Sequence, residues 1–164
     1  MHVYVPATLA MLQSLVADGT LRAVNGTAFA VTPTLRESYA EGDDDELAEV
    51  ALRDAALASM RLLADGGSEL APRRVVLVVR AEDAKPRPDL DDAVVRLSSP
   101  VAFADVVAAY VDNADAEAAV LTAVEVVDAA DLGDEDAELA VGDAQDHDLA
   151  WYAPQELPFL LDLL

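Results

Sequence analysis

The chain has 164 residues and a mass of 17.3 kDa, with 54% hydrophobic residues and a mean hydropathy of +0.23; this excludes wholesale disorder, which needs low hydrophobicity as well as high net charge. The formal net charge of -22 works against direct nucleic-acid binding, which depends on cationic side chains displacing counterions from phosphates. With no cysteine, disulfides, thiolate nucleophiles and sulfur ligands are excluded, and a chain of this length is expected to fold as one domain with a proper core.

Residues 1–17 carry no formal charge beyond the terminus and His2. Pro6, Thr8, Gln13 and Ser14 interrupt them and no basic segment precedes them. They fit neither a signal peptide nor a membrane span, which needs about 20 apolar residues, so a cytoplasmic protein without membrane association is expected. "HVYVPATLAML" predicts a strand over 2–5 and a helix over about 8–17, with Thr8 as its cap and Gly19 as its stop. "GTAFAVTPTLRE" predicts a strand over 27–31, and Thr32 before Pro33 is the start of a short helix ending near Gly42.

"DDDELAEVALRDAALASMRLLADGG" is the clearest helix, with Asp43 to Glu46 at the positive end of the dipole and Gly66 and Gly67 as its stop. Glu49 and Arg53 are spaced to pair on the solvent side. Ala48, Ala51, Leu52, Ala55, Ala58, Leu62 and Leu63 form one wide apolar face, while Val50 and Leu57 provide for a second contact surface. From Arg73, "RRVVLVVRA" reads as a central strand covered on both sides. "KPRPDLDD" reads as a loop because of its prolines, and "AVVRLSS" and "VVAAYVD" as strands flanking one turn at Pro100 to Asp105.

Asn113 is the expected cap of a helix through "ADAEAAVLTAVEVVDA", lying on a sheet with Ala116, Ala119, Val120, Ala123, Val124, Val126 and Val127 inward. In "AELAVGDAQDHDLAWYA", the alternation of Leu139 with Val141 and of Leu149 with Trp151 around a turn-rich centre predicts a β-hairpin. Of Trp151 and Tyr152, at least one is expected to anchor the hairpin to the core. Pro154 opens a last helix that Pro158 kinks or restarts.

Charge is unevenly placed. Residues 73–96 hold six of the ten cations, and after Arg96 there is no Lys or Arg while sixteen carboxylates follow. Nine arginines to one lysine, amid abundant Ala, Val and Asp, fit a GC-rich coding sequence or a salt-adapted proteome, which gives much of the acidity a compositional origin. The cationic segment around Arg73, Arg74, Lys85, Arg87 and Arg96 has two uses open to it, docking an anion or pairing the protein's own carboxylates.

The acidic stretch after Asp131 invites a calcium reading, but no register places Gly at loop position 6 and Glu at position 12. A looser cation site around Asp131, Asp134 and Asp136, or a two-histidine centre from His2 and His147, is the residual metal reading. There is no G-x-S-x-G elbow and no Gly-rich phosphate cradle, so no catalytic, cofactor or metal residue is assigned. The candidate partner-facing residues are Asp134, Glu135, Asp136, Asp143, Asp146, His147 and Asp148.

The phrases "VYVPATLAMLQ", "AVTPTLRE", "PRPDLDDAVVRL", "DAADLGDEDAE" and "LAWYAPQEL" together resemble a family of small acidic actinobacterial proteins of unknown function. The resemblance runs over nearly the whole chain and implies no activity, cofactor or catalytic residue. The expected fold is a single α+β domain with a mixed or antiparallel sheet of about five strands and helices mainly on one face, a ferredoxin-like sandwich being the nearest analogue. The leading functional expectation is a non-catalytic cytoplasmic protein acting through contacts with a protein partner, and homo-oligomers are compatible with it. Two alternatives stand beside it: a small enzyme or ligand-binding domain whose site is assembled from residues far apart in sequence, and a nucleic-acid mimic built on the thirteen acids of residues 112–148.

Overall fold

A computed structural model describes residues 1–39, 41–66 and 70–164. Strand β1 (His2–Ala7) alternates cleanly: Val3, Val5 and Ala7 are buried on one face while Tyr4 turns to the other. Thr8 accepts a hydrogen bond from the Met11 amide at 3.2 Å and starts α1 (Leu9–Asp18), and Gly19 ends it in the left-handed conformation, with φ 81°. Leu9, Leu12 and Leu15 form its buried stripe. The chain continues through β2 (Thr20–Leu21) and β3 (Thr27–Phe29). Between them Gly26, at φ 68°, lies so close to the Leu97 carbonyl that a Cβ would stand 2.6 Å from its oxygen.

Thr32 caps α2 (Pro33–Ser38) through the Leu35 amide, as the Thr-Pro start predicts. Helix α3 (Asp44–Asp65) is capped by Asp43 on the Glu46 amide, with Asp44, Asp45 and Glu46 in its first turn. Gly66 donates to the Leu62 carbonyl at its end, and Gly67 lies outside the described residues. Its buried stripe is Leu47, Ala51, Ala55, Ala56, Ser59 and Met60, so the predicted face is rotated, with Ala48, Leu52, Ala58, Leu62 and Leu63 only half-buried. The rotation has a cause: α3 is flanked by the sheet on one side and by helices on the other, so apolar residues spread around it. The Ser59 hydroxyl donates to the Ala7 carbonyl at 2.7 Å and accepts from the Val75 amide at 3.0 Å, joining the helix to the end of a strand ladder.

Strand β4 (Val75–Arg80) is buried through all five apolar residues, as a central strand should be. After it come β5 (Lys85–Pro86), β6 (Val94–Arg96), β7 (Val101–Ala102) and β8 (Val106–Val111). Lys85 and Pro86, where the prolines of the segment predict a loop, make a two-residue edge strand instead, the place where proline is tolerated. Helix α4 (Glu117–Asp131) buries Val120, Ala123 and Val127, three of the residues predicted inward. It follows a short turn of 3-10 helix, Ala114–Ala116, at which Asn113 makes no side-chain cap bond. It rests on α3 and on α5 (Glu135–Gln145) rather than on the sheet.

Helix α5 overturns the predicted hairpin. Asp134 accepts from the Ala137 amide at 2.9 Å, and Glu135, Asp136 and Glu138 occupy the first turn, where the dipole favours them. Buried Ala137 and Ala144 with half-buried Val141 follow i, i+4, i+7 spacing, which is helical. Only Ala150–Tyr152 remains extended; this strand, β9, pairs with β8 and not with a hairpin partner. The turn Pro154–Glu156 leads into α6 (Leu157–Asp162), with Pro158 in its first turn, so the proline restarts the helix.

The sheet has seven strands in the order β5-β6-β3-β1-β4-β8-β9, two more than expected, and every ladder is antiparallel. A second ribbon pairs β2 with β7. Val3, Val5, Leu77 and Ala109 pack under α1 and α6. Tyr4, Phe29, Val76 and Tyr110 pack under α3 on the other face, with α4 and α5 outside it. The result is an α+β domain with most of its helical mass on one side, but α1 and α6 add a third layer that a two-layer ferredoxin-like sandwich lacks. Among the described residues no helix is long and apolar enough to cross a membrane.

Candidate functional site

The β4–β8 ladder places Val75 opposite Val111, so the next residues outward, Arg74 and Asp112, meet at the end of the sheet. Asp112 accepts three hydrogen bonds from Arg74: backbone N at 2.8 Å and Nε at 2.8 Å to Oδ2, and Nη2 at 2.7 Å to Oδ1. Both side chains are buried, with 1% and 0% exposure. A buried ion pair needs its remaining valences filled. Arg74 Nη1 donates to Gln145 Oε1 at 2.9 Å, and Nη2 to the His147 carbonyl at 2.8 Å. Gln145 Nε2 in turn donates to the Arg53 carbonyl at 3.1 Å. This network ties the end of α5 and the connection to β9 onto α3 and the sheet.

The network forms the wall of a cleft of about 610 Å³ between α3, β8 and the α5–β9 connection. Glu46, Glu49, Tyr110, His147, Asp148 and Leu149 line it, with Arg53 one turn beyond Glu49 on α3. The positive charge of Arg74 is met by Asp112 behind it, so the uncompensated charge facing the cleft is negative. Arg53 does not pair with Glu49 as the helical spacing allowed; its Nη1 reaches the Gln145 carbonyl at 3.4 Å. On the same sheet face as Tyr110, the Tyr4 hydroxyl is held above its ordinary pKa by burial, with contributions from Tyr110 and Asp45. Elsewhere on α3 the Asp54 carboxyl is raised to about 6, mainly by burial and then by the charge of Asp91.

The residues predicted to face a partner do not form one edge. Asp134 is consumed as a helix cap, Glu135 and Asp136 are exposed beside it, and Asp143 and Asp146 are exposed at the other end of α5. Eleven residues of helix, roughly 16 Å, span the distance. Only His147 and Asp148 of the set reach the cleft. Although no Lys or Arg follows Arg96 in the sequence, Arg74, just before β4, reaches this segment and bonds at Gln145 and His147.

The metal readings also dissolve. Asp131 is held by Arg61 at 3.1 and 2.7 Å, and among the described residues no group of three or more His, Asp or Glu could hold an ion. His2 pairs with Arg80 at one end of the sheet, whereas His147 sits by Arg74 at the other, roughly 20 Å of strand away. Most of the cationic segment is spent internally: Arg73 on Glu117, Arg74 on Asp112 and Arg87 on Asp89. Trp151 is 57% exposed, so Tyr152, packed against the core, is the anchor of the pair.

The cleft residues that sequence reasoning missed are Glu46, Glu49, Tyr110 and Gln145. Their one available signal was Arg74 itself, a cation directly abutting a run of apolar strand residues, with Asp112 in the mirror position after "VVAAYV". Residues 1–161 match the model of a family of unknown function (DUF6912). No curated protein and no solved structure matches the chain.

Proposed function

We propose that this chain, which belongs to the family of unknown function DUF6912, is a non-catalytic cytoplasmic protein that acts by binding a basic protein partner. The observation that carries the reading is unpaired charge. Of the sixteen carboxylates that follow Arg96, only Asp112, Glu117 and Asp131 are in ion pairs among the described residues. The α4–α5 layer carries most of the rest outward, together with the exposed Leu132 and Leu139. A one-sign surface of this kind speeds encounter with an opposite surface and disfavours wrong partners. In the cleft, Arg74, Asp112 and Gln145 bond to one another, whereas among the described residues Glu46, Glu49 and Asp148, which line it, are in no ion pair, and this open negative charge supports binding of a basic partner.

The test is affinity capture from native lysate at moderate and high salt, with the wild type and a variant carrying Glu135→Gln, Asp136→Asn, Glu138→Gln and Asp143→Asn. The expected result is one stoichiometric basic partner, released by high salt and lost by the variant. Recovery of no stoichiometric partner at either salt would overturn the reading. A partner that itself binds nucleic acid would narrow it to mimicry of a phosphate backbone.

A further inference from the structure

We infer that, besides the acidic α4–α5 layer, the partner engages the free edge of β9 and the cleft beside it, and that the segment recognised there is an extended one in which cationic and apolar side chains alternate. This deepens the protein-contact reading and rests on it. The two ends of the sheet differ. At one end β5 carries Lys85 and Pro86, the residues that discourage strand addition. At the other, β9 reads Ala-Trp-Tyr, and among the described residues no element pairs with its outer edge.

The register says what an added strand would meet. Trp151 lies opposite Tyr110, so their side chains share a face. Leu149, two residues before Trp151, falls on that face too, and it lines the cleft with Tyr110. A strand laid along β9 therefore runs one row of side chains over the exposed indole and on toward Glu46, Glu49 and Asp148. Cations suit both stations: the indole face attracts them, and the cleft offers three carboxylates against Arg53, which donates to the Gln145 carbonyl and is in no ion pair among the described residues. Asp146 and Asp148 precede the strand, and no Lys or Arg occurs anywhere from residue 97 onward.

The opposite row meets different chemistry. Tyr152 turns to the face covered by α6, which packs through Leu157 and Leu160 and leaves Phe159 73% and Leu163 85% exposed. Apolar side chains suit that side. Strand periodicity of two then demands alternation of the two types in the occupant. Because β9 is only three residues long, backbone pairing alone is too little, and the side-chain rows must supply selectivity.

Trp151 is the only tryptophan, so its emission reports this site alone. The probes are a seven-residue peptide alternating arginine and valine, the same residues in blocked order, and the alternating peptide N-methylated throughout so that it cannot add a strand. Binding is followed by Trp151 emission and by anisotropy of labelled peptide. The alternating peptide should change the emission saturably and bind at least tenfold tighter than either control. Glu49→Gln with Asp148→Asn, both on exposed side chains, should weaken it at least tenfold. Equal affinity for alternating and blocked peptides, or indifference to the double variant, would overturn the inference. Binding seen by anisotropy with silent Trp151 and sensitivity to the α5 variant would overturn it while leaving the protein-contact reading intact. No binding of the alternating peptide at low salt would also overturn it, and lysate capture would then decide the broader reading by itself.

Discussion

Replacing Asp112 by alanine leaves the Arg74 guanidinium in a site where it is 1% exposed, with its counter-charge gone. It also orphans the Arg74 backbone amide, which donates to Asp112 Oδ2 at 2.8 Å. Breaking a buried pair costs about 3–5 kcal/mol, and an unsatisfied buried amide about 1–3 kcal/mol. These overlap because Arg74 keeps its bonds to Gln145 and His147, so the expected loss is about 4 kcal/mol. With a urea m-value near 2 kcal/mol/M that lowers the unfolding midpoint by roughly 2 M, and Tm by roughly 10 °C. The assay is urea unfolding followed by Trp151 emission and far-UV circular dichroism. Two controls sharpen it. Asp131→Asn breaks the half-exposed pair with Arg61 and should cost less than about 1 kcal/mol. The double variant Arg74→Met with Asp112→Leu should recover part of the loss because no lone charge remains, but not all of it, since Gln145 Oε1 and the His147 carbonyl lose their donor. A loss below about 1 kcal/mol for Asp112→Ala, as for a surface pair, would refute the argument.

Asp54 is raised from 3.8 to about 6, so its contribution is fully present below the unfolded value and is lost as pH rises through about 6. Asp54→Asn should therefore stabilise at pH 7 by about 1 kcal/mol, after discounting for solvent screening, and leave stability unchanged near pH 3; a pH series of denaturant midpoints checks both limits. Ser59→Ala removes the hydroxyl that serves both the Ala7 carbonyl and the Val75 amide and should cost about 1–3 kcal/mol, seen as faster exchange of the Val75 amide. Gly26→Ala adds a Cβ 2.6 Å from the Leu97 carbonyl oxygen at φ 68°, whereas Gly133→Ala, at φ 93°, meets nothing within 4 Å. The first should cost about 2 kcal/mol or more and the second about 1 kcal/mol, which parallel thermal melts will separate.

Much of the fold was legible in short stretches of sequence. Thr8, Thr32 and Asp43 cap helices because their side-chain oxygens need only an amide two or three residues on, and β4 declares itself by five consecutive β-branched or leucine residues that suit a strand covered on both faces. Each is a local cause with a local effect. The α5 region was misread because Leu139 and Val141 alternate visibly, whereas its true helical stripe is Ala137, Val141 and Ala144, residues that mark a face only weakly.

The candidate site was the least legible part, since its residues come from four separate segments and their roles depend on strand order. Whether Arg74 docks an anion or pairs an internal carboxylate is undecided in the sequence until β8 is paired beside β4 and Asp112 is brought to it. Which of Trp151 and Tyr152 holds the core stays open in the sequence until β9 is found at the edge of the sheet, with Trp151 57% exposed and Tyr152 packed against the core. Composition and capping chemistry determined where elements begin and end, because those free energies are settled within a turn or two of chain. Which charges are buried, and which strand edge is open, belongs to long-range pairing, whose partners lie dozens of residues apart and carry no mark of one another.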